Sequence, residues 1–362
     1  MQPPGDADVS NAPANGGSQS HRLQWIEEGA YEVSPGVHRI PLPLPFDGLR
    51  AVNTYAIEAD DGLVMIDSGW VLEETKEQLE RSLARIGAGL GDVRRFLITH
   101  IHRDHYTQAI AIRKIFGTKI ALGDGERQSL DILLGKDSGL SARGERLAIA
   151  GAQPLIEKMV EAGMQRPGTD LGYDEPDEWI ASGQKFEIGS RTLEAIATPG
   201  HTHGHVVFAD YAAGLLFAGD HVLPHITPSI SLEAAPQELP LGDFLDSLKL
   251  VRQMPDLTLL PAHGPVAPSV HARVDELIDH HDDRLRIIAR ELEAGPRTAY
   301  QVSAAVPWTS RKRALTDLDL MNQTLAVGET EAHLDLLVAR GTASVRLDDG
   351  IRYYELSPPA SA

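Results

Sequence analysis

Apolar positions repeat with period two in two batches along the chain, and with a helical period between and after them. "YEVSPGVHRIPLPLP" (31–45) and "VNTYAIEADDGLVMIDSGW" (52–70) read as strands, and the ADDG turn folds the second into a hairpin. "VLEETKEQLERSLARIGAGLG" (71–91) has apolar residues at helical spacing and ends in glycine, which predicts an amphipathic helix. "VRRFLITHIH" (93–102) predicts a strand running into a loop. "YTQAIAIRKIFG" (106–117) predicts a helix stopped by Gly117, and "TKIALG" (118–123) a further short strand. Strand patterns return at "KFEIGSRTLEAIATPG" (185–200), "HVVFADYAAGLLFAGD" (205–220) and "LTLLPAHG" (257–264). Two batches of strands alternating with helices predict an α/β chain with two mixed sheets packed together and helices outside.

Residues 125–178 break this rhythm. They are helix-rich, charged and interrupted by Pro and Gly, and read as an insertion over one face. Their apolar pieces, "LDILL" and "LAIAGAQPLIEKMVEAGM", could line a lid or serve as ordinary core, and Met159 and Met164 would suit an adaptable acyl pocket. After about residue 281 the grain changes again. "RLRIIARELEAG", "TAYQVSAAV" and "NQTLAVGETEAHLDLLVARG" predict three helices, and "TASVRLDDGIRYYEL" a hairpin about its DDG turn. Three helices and a hairpin describe a small winged-helix module. The expected parts are a tail at 1–22, a main domain at 23–280 and the C-terminal domain at 281–362.

Composition narrows the function. The chain has 362 residues, enough for one large core and a smaller domain. No apolar run approaches the ~18 residues of a membrane helix, so no membrane contact is expected. "MQPPGDADVSNAPANGGSQS" lacks a basic n-region and an apolar h-region, so no secretory signal is expected, and its composition predicts a disordered tail. There are no cysteines. That excludes disulfides, thiolate ligands and a cysteine nucleophile, and suits a cytoplasmic location. The formal net charge of −19 repels phosphate backbones and anionic lipid. The one dense basic cluster, Arg311, Lys312 and Arg313, reads as a solvated face.

"LITHIHRDHYTQAI" (97–110) presents His100, His102, Asp104 and His105 within six residues. In an extended segment residues two apart point the same way, so His100 and His102 can grip one ion together. Asp104 and His105 lie where the chain turns into the next helix and can reach a second position. Divalent metals of the zinc type accept imidazole nitrogen and carboxylate oxygen. Four ligands cannot complete two coordination shells. His201 in "TPGHTHGH", Asp220 in "LFAGDH", His263 in "LLPAHG" and Asp67 in "VMIDSGW" each stand where an apolar strand gives way to a turn. Strand ends are rigid and open toward one edge of the sheets.

These motifs resemble the metallo-β-lactamase-fold superfamily over roughly residues 30–270, within an αββα sandwich of two mixed sheets. The resemblance implies a first metal on His100, His102 and His201. It implies a second on Asp104, His105 and His263, with Asp220 bridging both. Asp67 would steady the ligand loop by hydrogen bonds. His203 and His205 follow a ligand and read as shaping its loop, with His205 able to support a ligand directly. Tyr106 replaces a small residue or histidine frequent after this motif, and could line the pocket or cap the helix. His280 and His281 sit on a predicted helix and read as surface residues; His333 has no supporting context. The C-terminal part resembles the winged-helix domain appended to some members, including endoribonuclease-like β-lactamase-like proteins.

Two divalent ions can share one water and lower its pKa toward neutrality. The expected function is therefore a dinuclear hydrolase that cleaves a carboxylic ester, thioester or lactone through a metal-bound hydroxide. Zn2+ is the expected metal, with Fe or Mn able to substitute on an all nitrogen and oxygen set. Asp104 could also orient the hydroxide or pass on a proton, and His225, in "HVLPHITPSISL", could polarise the carbonyl or protonate the leaving group. The alternatives are a phosphodiesterase or endoribonuclease, a β-lactamase, and a winged-helix nucleic-acid-binding regulator. A β-lactamase of this superfamily usually carries Cys or Ser where Asp220 stands, and is exported. The two nucleic-acid readings need a basic tail, yet residues 281–362 hold 10 Lys/Arg against 12 Asp/Glu. Glu329, Glu331 and Asp335 oppose Arg340 alone on the helix at about 321–340. The expected partner is a small-molecule substrate rather than nucleic acid, and the tail reads as a packing, dimerising or pocket-closing element, a homodimer being one outcome.

Overall fold

The predicted strands form, and helices cover the outer faces of the two main sheets. The computed structural model describes residues 24–45, 49–135, 142–163, 172–230, 233–309 and 311–358. The expected tail at 1–22 and Met164 lie outside the described residues. The first predicted stretch is divided into β1 (Tyr31–Ser34) and β2 (Val37–Pro43), and β3 (Ala51–Ala59) and β4 (Gly62–Ile66) make the ADDG hairpin. α1 (Glu73–Ala84) ends before the glycines at 87–91. β5 (Val93–Ile98) leads into α2 (Arg103–Phe116), so Asp104 and His105 form the first turn of that helix. Gly117, in the left-handed conformation at φ +73°, stops it as expected.

β6 (Lys119–Gly123) is followed by α3 (Arg127–Leu133), α4 (Ala142–Ile149), α5 (Gln153–Glu161) and β7 (Glu178–Ile180). The seven strands lie in sequence order in one sheet, antiparallel from β1 to β4 and parallel from β4 to β7. β8 (Lys185–Ile188), β9 (Arg191–Ala197), β10 (Val206–Asp210), β11 (Leu215–Gly219) and β12 (Thr258–Pro261) form the second sheet in the order β12-β11-β10-β9-β8. Only its β11–β12 pair is parallel. Period two decides which side chain meets which layer. On β3, Tyr55 and Ile57 join Leu97, Phe208 and Phe217 between the sheets, while Val52 and Ala56 meet Leu79, Leu83 and Ile110 of α1 and α2. The outer face of the second sheet, with Val207, Leu216 and Leu259, is covered by α6 (Pro240–Gln253), α7 (Val270–Glu291) and the helices beyond. The architecture is the expected αββα sandwich.

Of the two roles left open for the apolar residues of the 125–178 stretch, a lid or ordinary core, the structure shows core. Leu147, Ala150, Ala152 and Leu155 are buried in the core that α6 and α7 share, and Leu130 joins the layer of α1 and α2. Met159 packs on that first core, and its sulfur accepts a hydrogen bond from Thr324 at 3.7 Å rather than lining an acyl pocket. The pattern correctly signalled amphipathic helices; it could not say which surface they would cover.

The C-terminal part has the expected three helices and hairpin. α7 runs through position 281 without a break. α8 (Ala299–Ala305), α9 (Leu320–Ala339) and the hairpin β13 (Ala343–Asp348) and β14 (Ile351–Leu356) complete it. Asp349 and Gly350 make its turn with positive φ at both residues, as the DDG signal requires. α9 is hemmed in by α4, α5, α6, α7, α8 and β13, and buries Val327, Leu334 and Leu337. His281 is buried instead of exposed, with its Nδ1 3.1 Å from Nε2 of the equally buried His333. Burial of one face of α7 against α9 accounts for this. His280, one residue earlier, is exposed. No helix among the described residues is long and apolar enough to cross a membrane.

The core shared by the second sheet, α6, α7 and α9 makes a specific expectation. Leu334→Ala should lower stability by about 2–5 kcal/mol and shift one common urea transition followed by fluorescence and circular dichroism. Two well-separated transitions would instead show that the C-terminal part unfolds by itself.

Candidate metal centre

Each candidate side chain follows the carboxyl end of a strand. Asp67 follows β4, His100 and His102 follow β5, His201 follows β9, Asp220 follows β11 and His263 follows β12. The two sheets present these ends to each other. His100 Nε2 lies 2.9 Å from His102 Nδ1, and His201 Nε2 lies 3.1 Å from the same atom. Asp104 Oδ2 lies 3.5 Å from His105 Nε2 and 3.4 Å from His263 Nε2. Asp220 stands between the groups. Its Oδ2 is 3.5 Å from His201 Nε2, and its Oδ1 is 3.4 Å from His263 Nε2 and 3.7 Å from His105 Nε2.

Their ring orientations are fixed from behind. His105 Nδ1 donates to Asp67 Oδ2 at 2.8 Å, His201 Nδ1 to the Ser229 carbonyl at 2.6 Å, and His263 Nδ1 to the Ala51 carbonyl at 2.7 Å. Carboxylate and carbonyl oxygens only accept, so a proton sits on each Nδ1 and each Nε2 faces the centre, its lone pair free once the ring is neutral. Asp67 also accepts from the Thr99 N–H at 2.8 Å and the Thr99 hydroxyl at 2.9 Å. That hydroxyl in turn takes the Nδ1 proton of His100 at 3.1 Å. His205 supports Asp220: its Nε2 accepts from the Asp220 N–H at 3.1 Å, and its Nδ1 donates to Thr198 at 2.9 Å. Gly219 must be glycine here. At φ +50°, a Cβ would lie 2.7 Å from both His205 Nε2 and Thr99 Cβ.

These donor atoms fit a metal. His105 Nε2, His263 Nε2 and Asp220 Oδ1 are buried and have no hydrogen-bond partner among the described residues. A buried polar atom left unpaired is costly, and here all three face one point. In the histidine trio, one proton on His102 Nδ1 can satisfy one neighbour well but not both. Nitrogens sharing a tetrahedral zinc would stand about 3.3 Å apart, close to the observed spacings. The sets His100–His102–His201, Asp104–His105–His263 and His100–His105–Asp220 could each hold an ion. His102 and Asp104 are the more open members and mark the mouth, where Arg103 lies over the Trp70 ring at 5.6 Å, beside Tyr173.

Burial and neighbours pull the imidazoles in opposite directions. Burial, reinforced by adjacent imidazoles, drives His100 well below its usual pKa; burial and His201 bring His102 down to about 3. Burial also lowers His201, to about 4. His105 is likewise disfavoured as a cation by burial, but Asp104, Asp67 and Asp220 together raise it to about 10. His263 is raised by Asp220 and Asp104 against the same desolvation. Asp104 is lowered, since His105 and His263 outweigh its burial.

Other expectations fare differently. Tyr106 neither lines a pocket nor caps the helix. It is buried, and its hydroxyl donates to the Asp174 carbonyl at 2.7 Å. His225 is exposed, one residue past Pro224, which abuts Gly264 beside His263. His203 is exposed and its N–H donates to Glu233 at 3.0 Å. A cavity of about 250 Å³ lies between α4, the 233–240 segment and α9, lined in part by Leu147, Ile230, Gln237 and Val327. None of the seven candidate ligands lines it. Thr99 and Thr198 escaped the sequence reading. The signal for Thr99 was its place between the β5 run and His100.

Residues 47–263 match the family described as "Metallo-beta-lactamase superfamily", and the chain belongs to that superfamily. It is a metal-dependent hydrolase. It is 25% identical over 326 residues to the "Probable metallo-hydrolase YqjP" of Bacillus subtilis (strain 168), covering 83% of this chain and 91% of that one. It is 26% identical to the metallo-beta-lactamase family protein TTHA1429 of Thermus thermophilus, with a TM-score of 0.75 over 90% of this chain and all of that one. It is also 24% identical to the "Atrochrysone carboxyl ACP thioesterase" of Aspergillus terreus, over 69% of this chain and 60% of that protein.

The opposed shifts give the two sets different pH behaviour. A ligand must lose its proton to bind metal. At pH 7 His100, His102 and His201 are already neutral, whereas His105 carries a proton. Metal affinity at the set containing His105 should therefore rise by roughly tenfold per pH unit up to about pH 10, while that of the histidine trio stays flat above about pH 5. Calorimetric titration of the metal-free protein in buffers of different ionisation enthalpy reads this. Equal proton release from every binding event would contradict the assignment.

Proposed function

We propose that this chain holds two divalent ions and uses them to hydrolyse a carboxylic ester, thioester or lactone. One ion would sit on His100, His102 and His201, the other on Asp104, His105 and His263, with Asp220 shared. The carrying observation is Asp220 itself, which turns Oδ2 toward His201 and the partnerless Oδ1 toward His105 and His263. Zn2+ suits these donors best, and Fe or Mn could replace it. Ions bound there would supply an activated water and Lewis-acid stabilisation of a developing oxyanion.

The chain's own residues complete the chemistry. Asp67, Ser229 and Ala51 keep three Nε2 lone pairs aimed inward, and His205 fixes the backbone that carries Asp220. Asp104, at the open side and held as a carboxylate by His105 and His263, would orient the attacking water. His225, in the exposed segment beside Gly264, is the candidate proton donor to the leaving group.

A carbonyl electrophile is favoured over a phosphodiester. A polynucleotide needs a cationic track, and a net charge of −19 supplies none. α9 has no free face to lay in a groove, and its Glu331 and Asp335 are engaged by Arg352 at 3.3 and 2.5 Å. The thioesterase named among the relatives supports an acyl substrate. Matched acyl and bis-aryl phosphate esters should differ in kcat/KM in favour of the acyl ester. A phosphodiester preferred by a large factor would sink this reading; an unchanged His225→Ala enzyme would remove only that histidine's role.

Asp220→Ala should abolish most activity and lower occupancy by more than one ion per chain, because one carboxylate serves both positions. Elemental analysis showing full occupancy in that variant would contradict the shared ligand.

A further inference from the structure

Glu126 lies in the short turn Asp124–Glu126 after β6, is fully buried, and has no part in the chemistry above. Burying a carboxyl group is costly unless its bonds matter. One of its oxygens, Oε1, accepts from the Ile101 N–H at 3.2 Å and from the Thr202 hydroxyl at 2.6 Å. Ile101 stands between His100 and His102, and Thr202 follows His201. A single oxygen thus joins the two separate loops, about a hundred residues apart in sequence, that bring the histidine trio together.

The contact is close along the backbone as well. A Cβ on Gly204 would collide with the Glu126 backbone nitrogen, and one on Gly123 with the Gly204 carbonyl. The same segment reaches the other side of the His201 loop. Ser129 on α3 donates to Glu233 Oε1 at 2.7 Å, and Glu233, also buried, accepts the His203 N–H with both oxygens at 3.0 Å. The His201–His203 loop is therefore clasped between two buried carboxyl groups, both anchored to residues 126–129.

We infer that Glu126 is a positioning residue that sets the distance between the His100–His102 loop and His201, and so the metal affinity of the histidine trio. This rests on the two-ion reading. Glu126 Oε2 is buried without a hydrogen-bond partner among the described residues, so replacing it by an amide nitrogen leaves both bonds of Oε1 intact. Burial, with Glu233 nearby, raises Glu126 to about 8, so a neutral amide also matches its charge at pH 7.

The test titrates metal-free wild type, Glu126→Gln, Glu126→Ala and Thr202→Val with Zn2+ against a chromophoric chelator, and repeats it with Co2+ to follow its visible spectrum at each position. Circular dichroism checks folding. Wild type should bind two ions. Thr202→Val and Glu126→Ala should each weaken one of the two by about 10–100-fold, alter the spectrum of that ion alone, and leave the other unchanged. Glu126→Gln should restore wild-type affinity. If Glu126→Ala does not fold, Thr202→Val decides, since it removes only the hydroxyl. A wild type that binds a single ion overturns the two-ion reading, and comparison with Thr202→Val for that ion still decides the positioning role. Two ions in wild type with unaltered affinity and spectrum in Thr202→Val overturn the positioning role, as does equal weakening of both ions.

Discussion

The centre depends on one buried carboxylate. Asp67 follows β4 with φ +58°, a conformation uncommon outside glycine, in which asparagine and aspartate are the more frequent exceptions. Three donors surround it: the Thr99 N–H, the Thr99 hydroxyl and His105 Nδ1. Strain and desolvation both oppose this placement, and those three bonds oppose them. Their geometric effect is large for one side chain. The first two fix the end of β5, from which His100 and His102 emerge. The third turns His105, on the first turn of α2, so that its free nitrogen faces Asp104, Asp220 and His263. Removing the carboxylate would release both loops at once.

A second requirement is that two sheets meet in register. No single sheet carries a complete set of candidate ligands. Backbone bonds tie the relevant strand ends together: Val206 N–H to the Thr99 carbonyl at 2.8 Å, Ala262 N–H to Gly219 at 3.1 Å, and Asn53 N–H to Ala262 at 2.6 Å. The Asn53 side chain adds bonds to the Pro261 and Gly264 carbonyls, on either side of His263. These bonds leave the ligand atoms little freedom, which is why lone pairs can be held facing one another before an ion arrives.

The sequence disclosed what is local and concealed what is distant. His100, His102, Asp104 and His105 were legible because one short segment carries them, and His201, Asp220 and His263 because each follows an apolar run at a turn. The β13–β14 hairpin was legible from DDG alone. The roles of Glu126, Ser129 and Glu233 were not, because their partners are contributed by remote loops and nothing in their own neighbourhood marks them. The same limit left open whether the helices of the 125–178 stretch would form a lid or join the core. Helical spacing in 142–161 requires an apolar face to be buried, but the choice between α9 and the centre is made by tertiary packing. His281 was misread for that reason too, since it is polar locally and enclosed only when α7 meets α9.

The C-terminal part bears on the centre although it donates no candidate ligand. Phe244 of α6 lies directly beneath Gly200, so closely that a Cβ there would overlap it. Ser247 of the same helix donates to the Pro199 carbonyl at 2.8 Å. α6 is itself held between the second sheet, α7 and α9. The turn that presents His201 is therefore fixed from below by a helix whose place depends on the C-terminal core, and from the side by Glu126 and Glu233. His201 is held beside His100 and His102 only when β5, β9, α3 and α6 are all docked. An ion that binds only that assembled arrangement stabilises the whole molecule rather than one loop. The C-terminal helices are thus physically connected to the candidate centre through this shared support of His201.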